Sequence, residues 1–355
     1  MQRLMLVTDP GILQTGMVAP LVTSIERAGI SVLLYSDVRA DPPEQQVLAA
    51  ADLARRERVD GVVGLGGGSS MDVAKLIAVL ANSEQSLADI YGIGNVSGGR
   101  LPLILVPTTA GTGSEVTATA IITTGATTKS GVISRQLLPD IALLDAELTV
   151  GLPAAITAAT GIDAMVHAIE AYTSKHKKNP YSDMLAREAL RLMSGTLAEA
   201  VHNGANREAR STMLLGAMLA GQAFANAPVA AVHALAYPLG GHYHIPHGLS
   251  NSLVLPHVLR FNAAAAAHLY AELLPCVAGG EMVKAGSGAA CDAFIDHMER
   301  LIDQVELPKQ LRDMNIAEAD LPMLADDAML QQRLLVNNPK QVLRADALAI
   351  YRAAY

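Results

Sequence analysis

The stretch GVVGLGGGSSMDVAKLI, residues 61–77, constrains the fold of this chain more than any other segment. A continuous apolar run over 61–66 leads into three consecutive glycines, and residues 70–82 follow with the apolar spacing of a helix. A run of this kind is typical of a strand that is buried on both faces of a parallel sheet. The segment therefore predicts one strand–loop–helix unit of an α/β domain.

The same alternation of strand and helix extends over the first part of the chain. Apolar runs predict further buried strands, and helical spacing predicts helices between them, at 4–8, 17–28, 30–35, 43–58 and 101–107 in chain order. In sheets of this class, ligands bind beyond the carboxyl ends of the strands. We therefore expect an α/β, Rossmann-like dinucleotide-binding domain over residues 1–152.

The character of the sequence changes from about residue 153. GLPAAITAATG (151–161) predicts a hinge made of small residues. Beyond it, stretches rich in Ala, Leu and Met predict helices over 182–200, 207–226, 229–239, 263–276 and 287–304. Because no strand alternation interrupts them, the second domain, residues 153–355, is expected to be all helical.

Charge and cysteine content argue against several classes of protein. The 355 residues carry a formal net charge of −8 without a Lys/Arg cluster, so neither nucleic acid nor an anionic membrane is expected as a partner. Cys276 and Cys291 give no disulfide framework, which makes a cytoplasmic location the default. No apolar run approaches the roughly 18 residues of a membrane span, and we expect a soluble protein.

Two polar, glycine-rich loops follow neighbouring predicted strands. In the first, the glycines at 66–68 let the backbone approach a ligand, and Ser69 and Ser70 add hydroxyls at a helix N-terminus. A plain turn would need fewer glycines, so this loop predicts a phosphate site. The second loop, VPTTAGTGSEVT (106–117), offers hydroxyl groups that fit a pyrophosphate and its sugars. By contrast, GIGNVSGG (92–99) lacks a strand before it and is interpreted as a connecting loop.

A carboxylate and three imidazoles occur in apolar surroundings in the second half. Asp163 and His167, in GIDAMVHAIEAY, are four residues apart and share one face of a helix, while His233 lies in VHALAYPLGG and His247 ends a polar turn. A lone histidine of this kind is more often a hydrogen-bonded core residue. A buried carboxylate without a basic partner is costly, however, unless it is paired or binds metal. One oxygen and three imidazoles suit Fe²⁺ or Zn²⁺.

These motifs together resemble the iron-containing alcohol dehydrogenases. The resemblance rests on GGGSSMD, PTTAGTGSEVT, GIDAMVHAIEAY, VHALAYPLGG and PHGLSNSLVLPHV, in family order from about residue 4 to beyond residue 350. It implies the dehydroquinate synthase-like fold, with a Rossmann-like N-terminal domain and an all-α, metal-binding substrate domain. It implies a homodimer as well, with Fe²⁺, or Zn²⁺ as the alternative, bound by Asp163, His167, His233 and His247.

The resemblance also implies a nicotinamide cofactor site and an aromatic neighbour of the substrate. The implied cofactor residues are Asp9, Gly67, Gly68, Ser69, Asp72, Thr108, Thr109, Thr112, Val116, Lys129 and Leu148. Phe224 would lie beside the nicotinamide ring or the substrate, and a role as an ordinary core residue is an equal alternative.

The chain departs from the family in two ways. From the family pattern we expect the usual first strand and helix, some thirty residues, to be missing before the strand at residue 4. The chain also has Tyr237 where several relatives have a histidine.

Two acidic residues compete for the ribose-reading position. A count from the start of this chain favours Asp37, which follows the second predicted strand, whereas the family match favours Asp9. A carboxylate at that position accepts hydrogen bonds from the ribose hydroxyls and repels a 2′-phosphate, so NAD is expected over NADP.

The expected function is hydride transfer between a short-chain alcohol or diol, or its aldehyde, and NAD(P), with the metal as Lewis acid. One alternative is a non-redox lyase of the dehydroquinate synthase type. Its phosphorylated substrate should need several Lys and Arg residues around the metal, and Lys175, Lys177 and Lys178 lie some turns away in the sequence. A catalytically impaired relative that binds metal or nucleotide is the other alternative.

Overall fold

The structure is a computed structural model that describes residues 1–125, 128–279 and 286–355. The chain forms two compact units. The N-terminal unit comprises Met1–Thr109 and Gly113–Gly151, and the C-terminal unit comprises Ala110–Thr112 and Leu152–Tyr355. The expected domain boundary at 152/153 and the main boundary between these units differ by one residue.

The N-terminal unit is built on a parallel sheet. The strands are β1 (Arg3–Val7), β2 (Ser31–Tyr35), β3 (Gly61–Gly66), β4 (Gly92–Ile93), β5 (Leu103–Pro107), β6 (Thr119–Thr124), β7 (Thr128–Ile133) and β8 (Ile141–Ala142). The order β2-β1-β3-β5-β8 forms the main sheet, and all of its pairings are parallel. Because β2 and β3 lie on opposite sides of β1, the winding reverses between β1 and β3, which is where α/β sheets of this kind bind nucleotides.

Helices cover both faces of the main sheet. They are α1 (Pro10–Gln14), α2 (Val18–Arg27), α3 (Glu44–Arg56), α4 (Gly68–Leu80) and α5 (Leu87–Ile90), with short 3₁₀ turns at 114–116, 135–137 and 146–149. Alternate β1 residues enter different clusters: Leu4 and Leu6 pack with Val18, and Met5 and Val7 with Val47. A strand with both faces buried must be apolar throughout, so continuous apolar runs predicted β1, β3 and β5 correctly. The partly exposed edge strand β2 was predicted as well, whereas the two-residue strand β8 was not.

A second, three-stranded sheet of order β4-β7-β6 was not predicted. β6 and β7 pair antiparallel, and β7 pairs with β4 in parallel. The interpretation of 92–99 as a connecting loop is therefore wrong for Gly92–Ile93, which form a two-residue strand. A strand of two residues carries no period that a sequence pattern could show.

The described part of the C-terminal unit is helical and contains no strand. Its helices are α6 (Ala154–Tyr172), α7 (Pro180–Ser194), α8 (Leu197–His202), α9 (Arg207–Asn226), α10 (Ala231–Tyr243), α11 (His247–Val277), α12 (Ser287–Gln304), α13 (Leu321–Ala328), α14 (Gln332–Leu335) and α15 (Arg344–Ala354), with 3₁₀ turns at 311–314 and 318–320. Every α6 residue from Gly161 to Tyr172 is buried, so polar groups on this helix must find partners inside the unit.

Three predictions about the C-terminal unit are corrected. The hinge predicted over 151–161 is wrong from Ala154 onward, because α6 begins there and its alanines are strong helix formers. The helix predicted over 182–200 is two helices, interrupted at Gly195. His247 does not end a polar turn; it is the first residue of α11, which continues past Pro256 to include the helix predicted at 263–276.

Among the described residues, no single helix is long and apolar enough to cross a membrane. α9 and α10 reach that length and composition only when taken together, and they are bent by 107° at the break between them.

Candidate metal centre and nucleotide site

Three helices of the C-terminal unit bring one carboxylate and three imidazoles together. Asp163 and His167 come from successive turns of α6, His233 from the first turn of α10, and His247 from the start of α11. One ligand atom from each of the four residues lies within 4.8 Å of the others. We call Asp163, His167, His233 and His247 the Asp–His cluster.

The spacing within the Asp–His cluster fits a shared divalent ion. Oδ1 of Asp163 is 3.8 Å from Nε2 of His167, 3.7 Å from Nε2 of His233 and 3.6 Å from Nε2 of His247. These separations are too long for hydrogen bonds. Two ligands on a tetrahedral ion with bonds of about 2.1 Å lie roughly 3.4 Å apart, close to what is observed.

Burial and charge leave the cluster ready to bind a cation. Burial lowers the pKa of His167 to about 3, so its imidazole is neutral and its lone pair is available. Burial acts to raise the pKa of Asp163, but the three imidazoles and a hydrogen bond from Asn251 outweigh it and lower that pKa. The His247 side chain is 41% exposed, whereas the Asp163 side chain is 2% exposed. The cluster therefore has one accessible side.

Two buried residues that the sequence analysis missed contact the Asp–His cluster. The Asn251 amide donates to Oδ1 of Asp163 at 2.6 Å. The carboxylate of Glu170 accepts a hydrogen bond from Nδ1 of His233 at 2.7 Å. The sequence did contain a signal for both: Glu170 lies seven residues after Asp163, and Asn251 lies four after His247. These spacings place each on the same helix face as a cluster residue.

The two predicted aromatic residues both lie beside the Asp–His cluster. The Phe224 ring stacks on His167, with centroids 4.4 Å apart, and the Tyr237 ring is 5.9 Å from that of His247. Burial raises the pKa of the Tyr237 phenol above its ordinary value, against the opposing effect of the Arg333 guanidinium. Tyr237 therefore keeps its proton near neutral pH and can act as a hydrogen-bond donor.

At the carboxyl ends of β1, β3 and β5, several predicted cofactor residues meet. Oδ2 of Asp9 accepts a hydrogen bond from Ser70 at 3.2 Å, and a Cβ on Gly66 would lie 3.2 Å from that same oxygen. The Thr108 amide donates to the Gly66 carbonyl at 3.0 Å, and Thr109 lies 3.8 Å from a Cβ built on Gly67. Gly67 is the N-cap of α4, and Gly68 and Ser69 begin that helix. A helix N-terminus at the switch point of a parallel sheet is an arrangement that favours anions, which is consistent with the predicted phosphate site.

Asp72 lies on the next turn of α4, but its carboxylate is engaged within the protein. It accepts hydrogen bonds from the Ser114 hydroxyl at 2.6 Å and the Ile121 amide at 2.9 Å. Lys75 is fully buried beneath the same segment and donates to Ser114 at 2.8 Å and to the Thr119 carbonyl at 2.7 Å. These contacts fasten the second polar loop to α4.

The remaining predicted cofactor residues lie on other elements. Val116 ends the 3₁₀ turn at 114–116, and Leu148 packs against the apolar cluster that contains Leu4. Lys129, on β7, pairs with Asp41 at 2.5 Å and donates to Thr123 at 3.0 Å. Thr112 belongs to the C-terminal unit.

Comparison with known proteins covers nearly the whole chain. A model described as iron-containing alcohol dehydrogenase matches residues 1–146, and one described as Fe-containing alcohol dehydrogenase family, C-terminal, matches residues 157–355. The chain is 42% identical to long-chain-alcohol dehydrogenase 1 of Geobacillus thermodenitrificans, over 100% of this chain and 90% of that protein. It is 35% identical to the NAD-dependent methanol dehydrogenase of Bacillus methanolicus, over 99% of this chain and 92% of that protein.

The fold is similar to solved structures as well. A crystal structure of 1,3-propanediol oxidoreductase matches with a TM-score of 0.96 and 37% identity, over 100% of this chain and 92% of that one. The Rossmann-like domain and the all-helical domain expected from the sequence are both present in this fold.

Proposed function

The chain belongs to the iron-containing alcohol dehydrogenase family, and from that premise we propose that the Asp–His cluster holds its catalytic metal. The protein is an NAD(P)-dependent alcohol dehydrogenase, which transfers a hydride between an alcohol carbon and the nicotinamide ring. The observation that carries the metal assignment is the spacing of Asp163 Oδ1 from three imidazole nitrogens, between 3.6 and 3.8 Å.

Each part of the cluster has a role that follows from its surroundings. A divalent ion held there supplies Lewis acidity toward the alcohol or carbonyl oxygen. Asp163 contributes the one negative charge, and His247 borders the accessible side where a substrate oxygen can approach. Phe224 and Tyr237 flank the cluster with aromatic surface that excludes water and holds the reacting carbon close.

We propose Fe²⁺ as the resident metal, with Zn²⁺ as the second candidate. Family membership supports iron, whereas the three imidazoles and one carboxylate accept either ion. Intrinsic affinity favours zinc in such a site, so the metal found depends on which ion is available as well as on the ligands.

NAD is the proposed cofactor in preference to NADP. Asp9 supports this, because its carboxylate lies against the glycine loop at the switch point. Asp37 follows β2, which pairs with β1 and is one strand further from that loop. A carboxylate at the Asp9 position accepts from ribose hydroxyls and repels a 2′-phosphate by several kcal/mol, enough for a preference of about a hundredfold.

The proposed substrates are short-chain primary alcohols or diols and their aldehydes. The similarity to a methanol dehydrogenase and to a 1,3-propanediol oxidoreductase supports this class, whereas the similarity to a long-chain-alcohol dehydrogenase points to longer alcohols. A homodimer in the cytoplasm is also proposed. Family membership supports the dimer, as do Leu34 on edge strand β2 and Ile141 on edge strand β8, which are exposed apolar residues. The unpaired cysteines support the location.

Steady-state NADH formation tests this function. Anaerobically purified protein, loaded in parallel with Fe²⁺ or Zn²⁺, is assayed with ethanol, 1-butanol and 1,3-propanediol, and with their aldehydes in reverse. We expect metal-dependent turnover with at least one of these pairs. Absence of turnover with every alcohol and aldehyde, in protein shown to contain metal, would contradict the proposal.

A further inference from the structure

Glu170 is a buried carboxylate on the same face of α6 as two cluster residues. It lies three residues after His167 and seven after Asp163, and its side chain is 6% exposed. A carboxylate at this depth requires hydrogen-bond donors to offset its desolvation. The donors come from α10 and the residue before it, and none of them is a Lys or Arg side chain.

Three N–H groups supply those hydrogen bonds. Oε2 of Glu170 accepts from the Ala230 amide at 2.9 Å, and Oε1 accepts from the Val232 amide at 2.7 Å. Oε2 also contacts Nδ1 of His233 at 2.7 Å. Ala230 is the N-cap of α10 and has no side-chain oxygen of its own, so Glu170 reaches across from α6 to cap this helix.

These contacts constrain which nitrogen of His233 carries the proton. Backbone amides can only donate, so they stabilise the ionised carboxylate, which can only accept. Nδ1 of His233 must then be the protonated nitrogen, and its Nε2 keeps the lone pair. That Nε2 is the atom 3.7 Å from Oδ1 of Asp163.

We propose that Glu170 is a positioning residue for the metal site. It selects the His233 tautomer that can bind metal, and it anchors this imidazole to the N-terminus of α10. The inference rests on the proposed function, because it requires that the Asp–His cluster binds a metal. It adds a residue outside the cluster on which the affinity of the site depends.

Replacement of the carboxylate by the isosteric amide separates this role from packing. In Glu170→Gln the amide keeps one acceptor oxygen, so its NH₂ group must face the N–H of either Val232 or His233. In the first case the cap of α10 is disrupted. In the second, the Ala230 amide loses its acceptor, Nδ1 of His233 becomes the acceptor, and the proton moves to Nε2, which blocks the metal-binding atom.

The test is the Zn²⁺ dissociation constant, measured at constant pH by competition with a chromophoric chelator. We expect Glu170→Gln to bind zinc about 10- to 100-fold more weakly than the parent protein. Glu272→Gln is the matched control: Glu272 accepts a hydrogen bond from Tyr172 at 2.6 Å in the same unit, and its zinc affinity should stay within twofold of the parent. A folded Glu170→Gln protein with zinc affinity within twofold of the parent overturns the inference.

The outcomes distinguish this inference from the proposed function. If the parent protein and His233→Ala bind zinc equally, the metal assignment fails and the inference with it. If the parent binds zinc through His233 and Glu170→Gln is unchanged, only the role of Glu170 fails. If Glu170→Gln does not fold, the inference is tested instead by the tautomer of His233 in the parent protein. Imidazole ¹H–¹⁵N spectra of ¹⁵N-histidine-labelled, zinc-loaded parent should show His233 protonated at Nδ1, and protonation at Nε2 overturns the inference.

Discussion

Gly248→Ala should disrupt the metal site without removing any ligand. Gly248 follows His247 in the first turn of α11, and a Cβ built on it would lie 2.3 Å from the Ala159 carbonyl oxygen and 3.3 Å from Cβ of Asp163. A carbon–oxygen contact normally needs about 3.3 Å, so α11 and α6 would have to separate by about 1 Å. Ala159 lies one turn before Asp163, so it cannot give way without moving that ligand.

The displacement is large compared with what the metal can tolerate. His247 Nε2 and Asp163 Oδ1 are 3.6 Å apart. A shift of 1 Å along that line gives about 4.6 Å, whereas an ion with bonds of about 2.1 Å bridges at most about 4.2 Å. We therefore expect Gly248→Ala to lose most of its zinc affinity. Overpacking of this kind should also lower the free energy of unfolding by about 1–3 kcal/mol.

The assays are chelator competition for zinc and denaturant unfolding of the metal-free protein. Gly288→Ala provides the control, because Gly288 lies in α12 and a Cβ there would meet none of the described residues within 4 Å. That variant should match the parent in zinc affinity and be neutral or slightly more stable, since alanine favours helix over glycine by about 1 kcal/mol. If Gly248→Ala also matched the parent in both assays, the close contact described here between α11 and α6 would be incorrect.

Three further predictions concern the cofactor site, Tyr237 and the buried carboxylate of Glu115. Asp9→Gly should admit NADP, whereas Asp37→Gly should leave the NAD/NADP ratio of kcat/KM near the parent value; the reverse pattern would contradict the assignment. Tyr237→Phe should leave the midpoint of the pH–rate profile unchanged, because burial keeps the phenol protonated, and a shifted midpoint would show that it relays protons. Burial raises the pKa of Glu115 from 4.5 to about 7, so parent stability should fall by up to about 3 kcal/mol as pH rises from 4.5 to 7. In Glu115→Gln, the free energy of unfolding measured with denaturant should no longer fall over this pH range. An unchanged pH dependence in the variant would show that the raised pKa of Glu115 is not the cause.

The sequence predicted the main sheet and the helical unit because their signals are local. A strand buried on both faces must be apolar along its length, as β3 and β5 are, and such runs are legible without tertiary information. The predicted fold and family are confirmed by the matches to whole-chain models and structures. The hinge at 151–161 was predicted wrongly because small residues suit both a flexible link and a tightly packed helix. Burial of α6 decides between the two, and burial is a tertiary property.

Sequence spacing predicts only part of the Asp–His cluster. The pair on α6 follows from the i, i+4 relation, but the contacts of Asp163 with His233 and His247 depend on how three helices pack. Glu170 and Asn251 satisfy the same spacing rules relative to cluster residues and could have been found from them. The ion pair between Lys129 and Asp41 could not have been predicted from spacing, because these residues are far apart in the sequence.

Metal content tests the central claim most directly. Elemental analysis of anaerobically purified parent protein should find about one divalent ion per chain, with iron or zinc predominant. His247→Ala, which removes the most exposed ligand of the Asp–His cluster, should retain little of that metal and nearly none of the alcohol-dependent NADH formation. Metal content equal to that of the parent in a folded His247→Ala protein would contradict the account.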